Sequence, residues 1–310
     1  MGLKHSIVVT GTNDAAKQVS VNAWNADHAV VASMNFPEQT VVPTAPAAGV
    51  ELFLQGVFQD WRMLASENAA GRVEFIAPHP WRHNVFRLVP GGGTTATSFA
   101  ACVGCGFTGT ASSFSAQVPA AGSAVTLSTR YTCATSTSTS NVVDIRPTSL
   151  LASRTSGFSF AMTFQPRVLS AANRAFFGLL DVTTAPGNID WTTTTTQNRI
   201  GIAINSNTGN WKLITGVTGT AATVVDLGVN FPVNTTDMTR LSLFCTASDT
   251  STVYYRVENL TSGLSTSGTI TANLPSATVL LAPHQYLTNN TNGTAVSFDS
   301  TGWYLQTDTV

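Results

Sequence analysis

The chain has 310 residues, of which 43% are hydrophobic and only 10% charged, and its formal net charge is −1. Ordinary soluble domains carry roughly 25% charged residues; here Thr, Ser, Ala and Gly fill the gap, and lysine occurs only at Lys4, Lys17 and Lys212. Such a chain lacks the basic stripe that releases counterions from nucleic acid, and no apolar run reaches the roughly 18 residues of a membrane helix, so the sequence predicts neither nucleic-acid binding nor membrane insertion.

Residues 1–45 hold short β-like pieces, "HSIVVTG", "QVSVNAW" and "HAVVASMNF", separated by Asn, Asp and Gly. The apolar patch at the front is too short for the apolar region of a secretory leader, so none is expected. Pro37, Pro43 and Pro46 each remove a donor and bias the preceding residue toward extended geometry. This region reads as an extended anchoring arm. Residues 46–90 alternate large apolar residues through "VELFLQGVFQDWRMLA" and "GRVEFIAPHPWRHNVFRLVP", which predicts a small β unit with too little core to stand alone. Residues 91–145, from "GGGTTATS" to "CATSTSTSN", read as a Gly/Ser/Thr-rich, partly β linker with a strand in "SAVTLSTRY".

Residues 146–310 are more regular. "FSFAMTF" sets Phe158, Phe160, Met162 and Phe164 on one face of a strand, and "AFFGLLDV", "RIGIAIN", "WKLITGV", "TVVDLGV", "RLSLFCTA", "TVYYRVENL", "GTITANL" and "AVSFDSTGWYLQ" follow at even spacing. "NSNTGN" is a hairpin turn rich in residues that tolerate positive φ. Trp303 and Tyr304 adjoin on a strand, so they must point to opposite faces. The pattern predicts an all-β protein: an extended N-terminal arm, a small β unit, and a C-terminal antiparallel β-sandwich of jelly-roll or concanavalin-like form.

The residues offer little chemistry. A glycosidase needs two carboxylates flanking the sugar; of the five glutamates only Glu258 falls in the sandwich, and its aspartates sit mostly in turn-like contexts or at strand ends. There is no G-x-S-x-G elbow. His79 and His83 in "PHPWRH" are interrupted by Pro80, so no regular helix presents them together. "CVGC" at Cys102 and Cys105 has the spacing of half a zinc knuckle without the other half; the reading is of small semi-buried thiols, the alternative a disulfide from either cysteine to Cys133. No metal, no cofactor and no enzymatic activity are expected. Two aromatics in turn-rich stretches, Trp191 in "GNIDWTTTTTQN" and Tyr286 in "HQYLTNNTNG", suit stacking on sugar faces, with Asn289 and Asn290 as hydrogen-bonding partners. The competing reading has both rings capping the sandwich core.

"HSIVVTGTNDAAKQVSVNAWNADHAVV" resembles a segment found at the front of many tailed-bacteriophage virion proteins, fibres and spikes above all, in which an extended piece ending in W-N-A-D-H precedes unrelated distal domains. "YLQTD" and the stretch from "ELFLQ" to "GGGTTAT" resemble phage appendage proteins as well. "RIGIAINSNTGNWKLITG" and "DMTRLSLFCTASDTSTVYYRVENLTSG" are similar in hairpin texture to concanavalin-like and laminin-G-like domains. The resemblance implies a homotrimeric fibre or spike on tail or head, assembled in the host cytoplasm and located in the virion. Residues 1–45 would dock on other virion proteins and the sandwich would bind a host-surface glycan. Within the arm, Val19, Val21 and Trp24 are the residues to bury, and Asn25 and Asp27, with Asn22, the turn that presents them. The other readings are a capsid decoration or cement protein without a ligand, and a glycan depolymerase.

Overall fold

The computed structural model describes the backbone of residues 38–39, 50–56, 62–68 and 73–75, and residues 83–308 apart from 96–97, 118–127, 194–195 and 248. The anchoring positions Val19, Val21, Trp24, Asn25 and Asp27 lie outside the described residues. Two compact units divide the chain, one of residues 1–56 and 62–76, the other of 57–61 and 77–310. In the first, β1 (Glu38–Gln39), β2 (Val50–Gly56), β3 (Arg62–Asn68) and β4 (Val73–Phe75) form one sheet in that order, with β1 parallel to β2 and the other pairs antiparallel.

The second unit is a sandwich of two antiparallel sheets, and no helix occurs among the described residues. One sheet runs β18 (Leu264–Ile270), β17 (Asp249–Asn259), β16 (Thr239–Thr246), β11 (Phe158–Val168), β20 (Ser297–Asp308), β5 (His83–Pro90) and β6 (Ala100–Val103). Two further strands, β8 (Ser113–Gln117) and β9 (Arg130–Ala134), join it through β20 and make it nine-stranded. The other sheet runs β15 (Thr223–Asp226), β14 (Lys212–Gly216), β13 (Arg199–Ile204), β12 (Arg174–Leu180), β19 (Ala282–Thr288), β10 (Val142–Pro147) and β7 (Phe107–Thr110). The expected all-β antiparallel sandwich is therefore the fold. It takes in more of the chain than 146–310: β5 pairs with β20, and the Gly/Ser/Thr-rich stretch supplies β6 to β10. Small residues and hydroxyls made that stretch look like a linker, yet Phe99, Tyr131 and Val143 within it are fully buried.

The core follows from period-two alternation. Phe158, Phe160, Met162 and Phe164 on β11 point inward with Leu241 and Leu243 of β16 and Trp303 and Leu305 of β20. Phe177, Ile200, Ile202 and Leu213 meet them from the opposite sheet. Phe164 and Phe177 stack across the interface with centroids 3.6 Å apart and planes within 3°. Burying each such ring is worth about 1.5–3 kcal/mol. Trp303 is core and Tyr304 faces out, as their adjacency requires.

β20 changes partner along its length. Ser297–Ser300 pair with β9 and Trp303–Asp308 with β5, while β11 lies along the other side throughout. The switch occurs at a bulge at Thr301, where the register with β11 slips. Gly302 there has φ +101°, and a Cβ would come within 1.9 Å of the Leu88 carbonyl oxygen; only glycine fits.

The CVGC pair corrects the expectation of free thiols: Cys102 and Cys105 are bridged to each other across the β6–β7 turn. Bridges to Cys133 do not form because β9 directs that thiol into the core, where it is fully buried, as is Cys245 on β16 to within 1%.

Candidate functional site

The four residues expected to contact glycan do come together, at one end of the seven-stranded sheet, but three of them are sealed. The segment 181–193 after β12 crosses that sheet's outer face as a strap. Trp191 on it stacks on Phe176 of β12 with centroids 4.5 Å apart and meets Tyr286 of β19 edge-on at 5.1 Å. Tyr286 Oη donates to the Gly187 carbonyl at 2.8 Å, fastening the strap from below. Trp191, Tyr286 and Asn289 have no exposed surface at all. Asn289 is spent on the main chain, donating to the carbonyls of Ser136 and Ser138 and accepting from the Asn141 N–H. Asn290, half-buried, takes its bond from Asn188 of the strap at 2.5 Å. As glycan contacts Trp191, Tyr286 and Asn289 are corrected: the two rings pack a second, smaller core between strap and sheet, the alternative reading of them as core caps. A ring with no free face cannot stack on a sugar. Burial also drives the Tyr286 phenol pKa well above the ordinary tyrosine value.

Beside this packing lies a sealed polar cluster. Asp144 of β10 accepts from Arg146 at 2.8 Å and sits 2.9 Å from His284 Nδ1, while His284 Nε2 lies 2.8 Å from the Val182 carbonyl of the strap. A carboxylate and a carbonyl flank the ring, and both contacts are hydrogen bonds only if both ring nitrogens carry a proton. Arg146 reaches on to the Thr183 carbonyl at 2.8 Å. The strap is thus tied to the sheet by main-chain acceptors at Val182, Thr183 and Gly187. Its far end turns on Asp190, whose carboxylate takes the N–H groups of Thr192 and Thr193, the Thr192 hydroxyl and the Asn205 amide. Burial pushes the Asp190 carboxyl up, but the Thr192 and Thr193 bonds and the Arg174 charge outweigh it, leaving its pKa below the ordinary aspartate value.

The outer face of the nine-stranded sheet is different. Across β18, β17, β16, β11, β20 and β5, the residues Thr269, Tyr254, Phe244, Ser159, Gln306 and Val85 are successive cross-strand partners. Two residues along, the next row is Ser267, Arg256, Ser242, Ala161, Tyr304 and Arg87. All face outward because their neighbours along each strand, such as Phe160, Leu243 and Leu305, are core. Ser159 and Ala161 make a floor of small side chains along β11. Gln306 and Tyr304 on one side and Phe244 on the other stand as its rims, about 10 Å apart at two interstrand spacings. None of these trough residues is fully buried and Arg87 is exposed. Tyr304 Oη donates to Gln306 Oε1 at 2.6 Å, fixing ring and amide together. Burial raises the Tyr304 phenol, so it stays a neutral donor. In the third row Glu258 lies 3.0 Å from Arg256 and 3.9 Å from Arg240, whose side chains are 34% and 45% exposed. A shallow trough with one fixed aromatic edge, an amide and a projecting guanidinium can hold a polar chain by stacking and directed hydrogen bonds.

Sequence reasoning passed over this trough. "AVSFDSTGWYLQ" and "FSFAMTF" already mark which residues face outward, but nothing in either says that Ala161 and Tyr304 are partners. Among the described residues no group of three or more His, Cys, Asp or Glu side chains is placed to hold a metal.

No family model and no curated protein matches the sequence. Among solved structures, the chain is similar to a protein of unknown function from Shewanella oneidensis MR-1, at 15% identity over 65% of this chain and 78% of that one, with a TM-score of 0.44. It is similar to arcelin-5, a lectin-like defence protein from Phaseolus vulgaris, at 11% identity over 74% of this chain and 100% of that one, with a TM-score of 0.45. A conserved carbohydrate esterase from the Shiga toxin-encoding bacteriophage phi24B gives 14% identity over 66% of this chain and 91% of that one, with a TM-score of 0.41. No residue role carries over from any of them.

Proposed function

We propose that this chain is a virion appendage of a tailed bacteriophage, a homotrimeric fibre or spike whose sandwich attaches to host-surface glycan without cleaving it. The trough on β11 is the observation that carries the binding half of this reading. It offers Tyr304 as a stacking ring and Gln306 and Arg87 as hydrogen-bonding groups over a floor too small to obstruct a sugar chain. The virion half rests on the W-N-A-D-H segment ending at His28 and on a low-charge, hydroxyl-rich composition. Attachment without cleavage is supported by the trough's carboxylates: Glu258 stands alone in its row, bracketed by two arginines, where hydrolysis calls for a facing pair. Three copies per trimer would let weak sites act together.

A second reading, a decoration protein with no ligand, is favoured by the sealing of the Trp191–Tyr286 end. Passing purified host polysaccharide over the immobilised chain separates the two. Retention without new reducing ends supports attachment; no retention of any polysaccharide supports decoration; reducing-end release would make the chain a depolymerase. Light scattering tests the trimer, with about three times the 32.5 kDa chain mass expected.

A further inference from the structure

We infer that the glycan held in the β11 trough carries carboxylates, and that Arg87 reads them. This rests on the glycan-attachment reading above and names its ligand class. The chain as a whole is nearly neutral, yet the two rows of the trough and the third row, that of Glu258, bring together Arg87, Arg256 and Arg240 with one carboxylate, Glu258. Glu258 is already occupied by Arg256 and Arg240, at 3.0 and 3.9 Å. Arg87 is the cation left over. It is exposed on β5, directly opposite Tyr304, and none of the ion pairs of the trough includes it.

The placement suits a uronate or sialate ring. Tyr304 lies between the Ser159–Ala161 floor and Arg87, so a sugar resting against the phenol edge would hold its carboxylate toward β5. A guanidinium takes a carboxylate through two parallel N–H···O bonds, which a lysine ammonium does not reproduce. The Tyr304 phenol and Gln306 amide, locked to each other at 2.6 Å, would orient the ring hydroxyls. A neutral glycan leaves the Arg87 fork unused and gains only the stacking and hydroxyl contacts.

The test uses the full chain and a panel of bacterial capsular polysaccharides bearing uronic or sialic acids, each paired with its carboxyl-reduced derivative. Binding is measured by biolayer interferometry at two salt concentrations. At least one acidic polymer should bind tenfold or more tightly than its reduced partner, with the difference shrinking at high salt. Arg87→Ala and Arg87→Lys should both lose most of that preference at unchanged melting temperature, whereas Arg167→Ala, on β11 outside the trough, should keep it. Equal binding to acidic and reduced polymers overturns the carboxylate inference while leaving glycan attachment standing. Failure to bind any polysaccharide in the panel overturns both. An Arg87→Ala chain with altered oligomeric mass and undiminished acidic preference overturns the assignment of Arg87 and marks that edge as a contact between copies.

Discussion

His284 and Asp144 lie on neighbouring strands of the seven-stranded sheet, 2.9 Å apart and without exposed surface, and the His284 ring passes the contact on to the main chain of the strap at Val182. Among the described residues, Asp144 is the carboxylate that meets both His284 and Arg146. Removing it strands two buried donors at once. Asp144→Ala should cost about 3–5 kcal/mol in urea unfolding, the range for breaking a buried pair from one side. A loss under 1 kcal/mol would mean that the cluster does not hold the strap.

Trp191 and Tyr304 should separate stability from binding. Trp191→Ala empties a fully buried site and should cost about 3–5 kcal/mol, with polysaccharide retention unchanged for the fraction that remains folded. Tyr304→Ala removes a half-buried ring from an open face and should cost much less stability while abolishing retention. If retention instead follows Trp191, the sealed end opens in solution and the trough is not the site.

The thiols give a third expectation. Burial drives the Cys133 thiol well above its ordinary pKa and that of Cys245 to about 11. The thiolate is the reactive form, so neither should react with iodoacetamide at neutral pH until the protein is unfolded. The Cys102–Cys105 bridge closes a very short loop, which limits its stabilisation to about 2 kcal/mol. A double Cys102→Ser, Cys105→Ser chain should therefore still fold and melt cooperatively; failure to fold would make the bridge obligatory.

Asp190 sets an acid limit on the strap. Its pKa is lower in the folded chain than in the unfolded one, so its contribution is complete above the ordinary aspartate value of about 3.9 and disappears as pH falls through the lower, folded value. Amide exchange at Thr192 and Thr193 should stay slow from neutral pH down to that range and accelerate below it. Asp190→Ala should show fast exchange at every pH.

Deleting residues 1–45 tests the docking segment. The sandwich core draws on residues from Leu88 onward, so the shortened chain should keep cooperative melting of its sandwich while no longer entering particles. Normal copy number in the virion would rule the segment out as the anchor.

Strand periodicity made the sandwich readable where one face is core and the other open, as in β11 and β16. It failed at β19, "APHQYLT", where all seven residues are buried. A central strand covered on both faces shows no inside-outside alternation, and its proline and three polar residues argue for a loop. Only the partners make it a strand: Gln285 donates to Ser300 and accepts from Tyr131, and His284 meets Asp144. Ser300 is 15 residues on, but Tyr131 of β9 and Asp144 of β10 are 154 and 140 residues away. For the same reason Tyr286 and Trp191 could be read either as sugar-stacking turn aromatics or as caps on the core, and the trough stayed hidden until register joined Tyr304 to Ala161 and Arg87.

The split pairing of β20 also has a temporal side. This strand sits in the middle of its sheet, between β11 on one flank and β9 and β5 on the other, yet it is the last strand of the sandwich to leave the ribosome. Until it arrives, β5 and β9 are separate flaps, Phe160 and Leu88 lack their cover, and one edge of β11 stands open to any neighbouring strand. Closing such long loops is slow, and nascent sister chains on one message would be nearby throughout that wait. Until β20 is made, that unpaired edge of β11 is the kind of edge to which another strand can add.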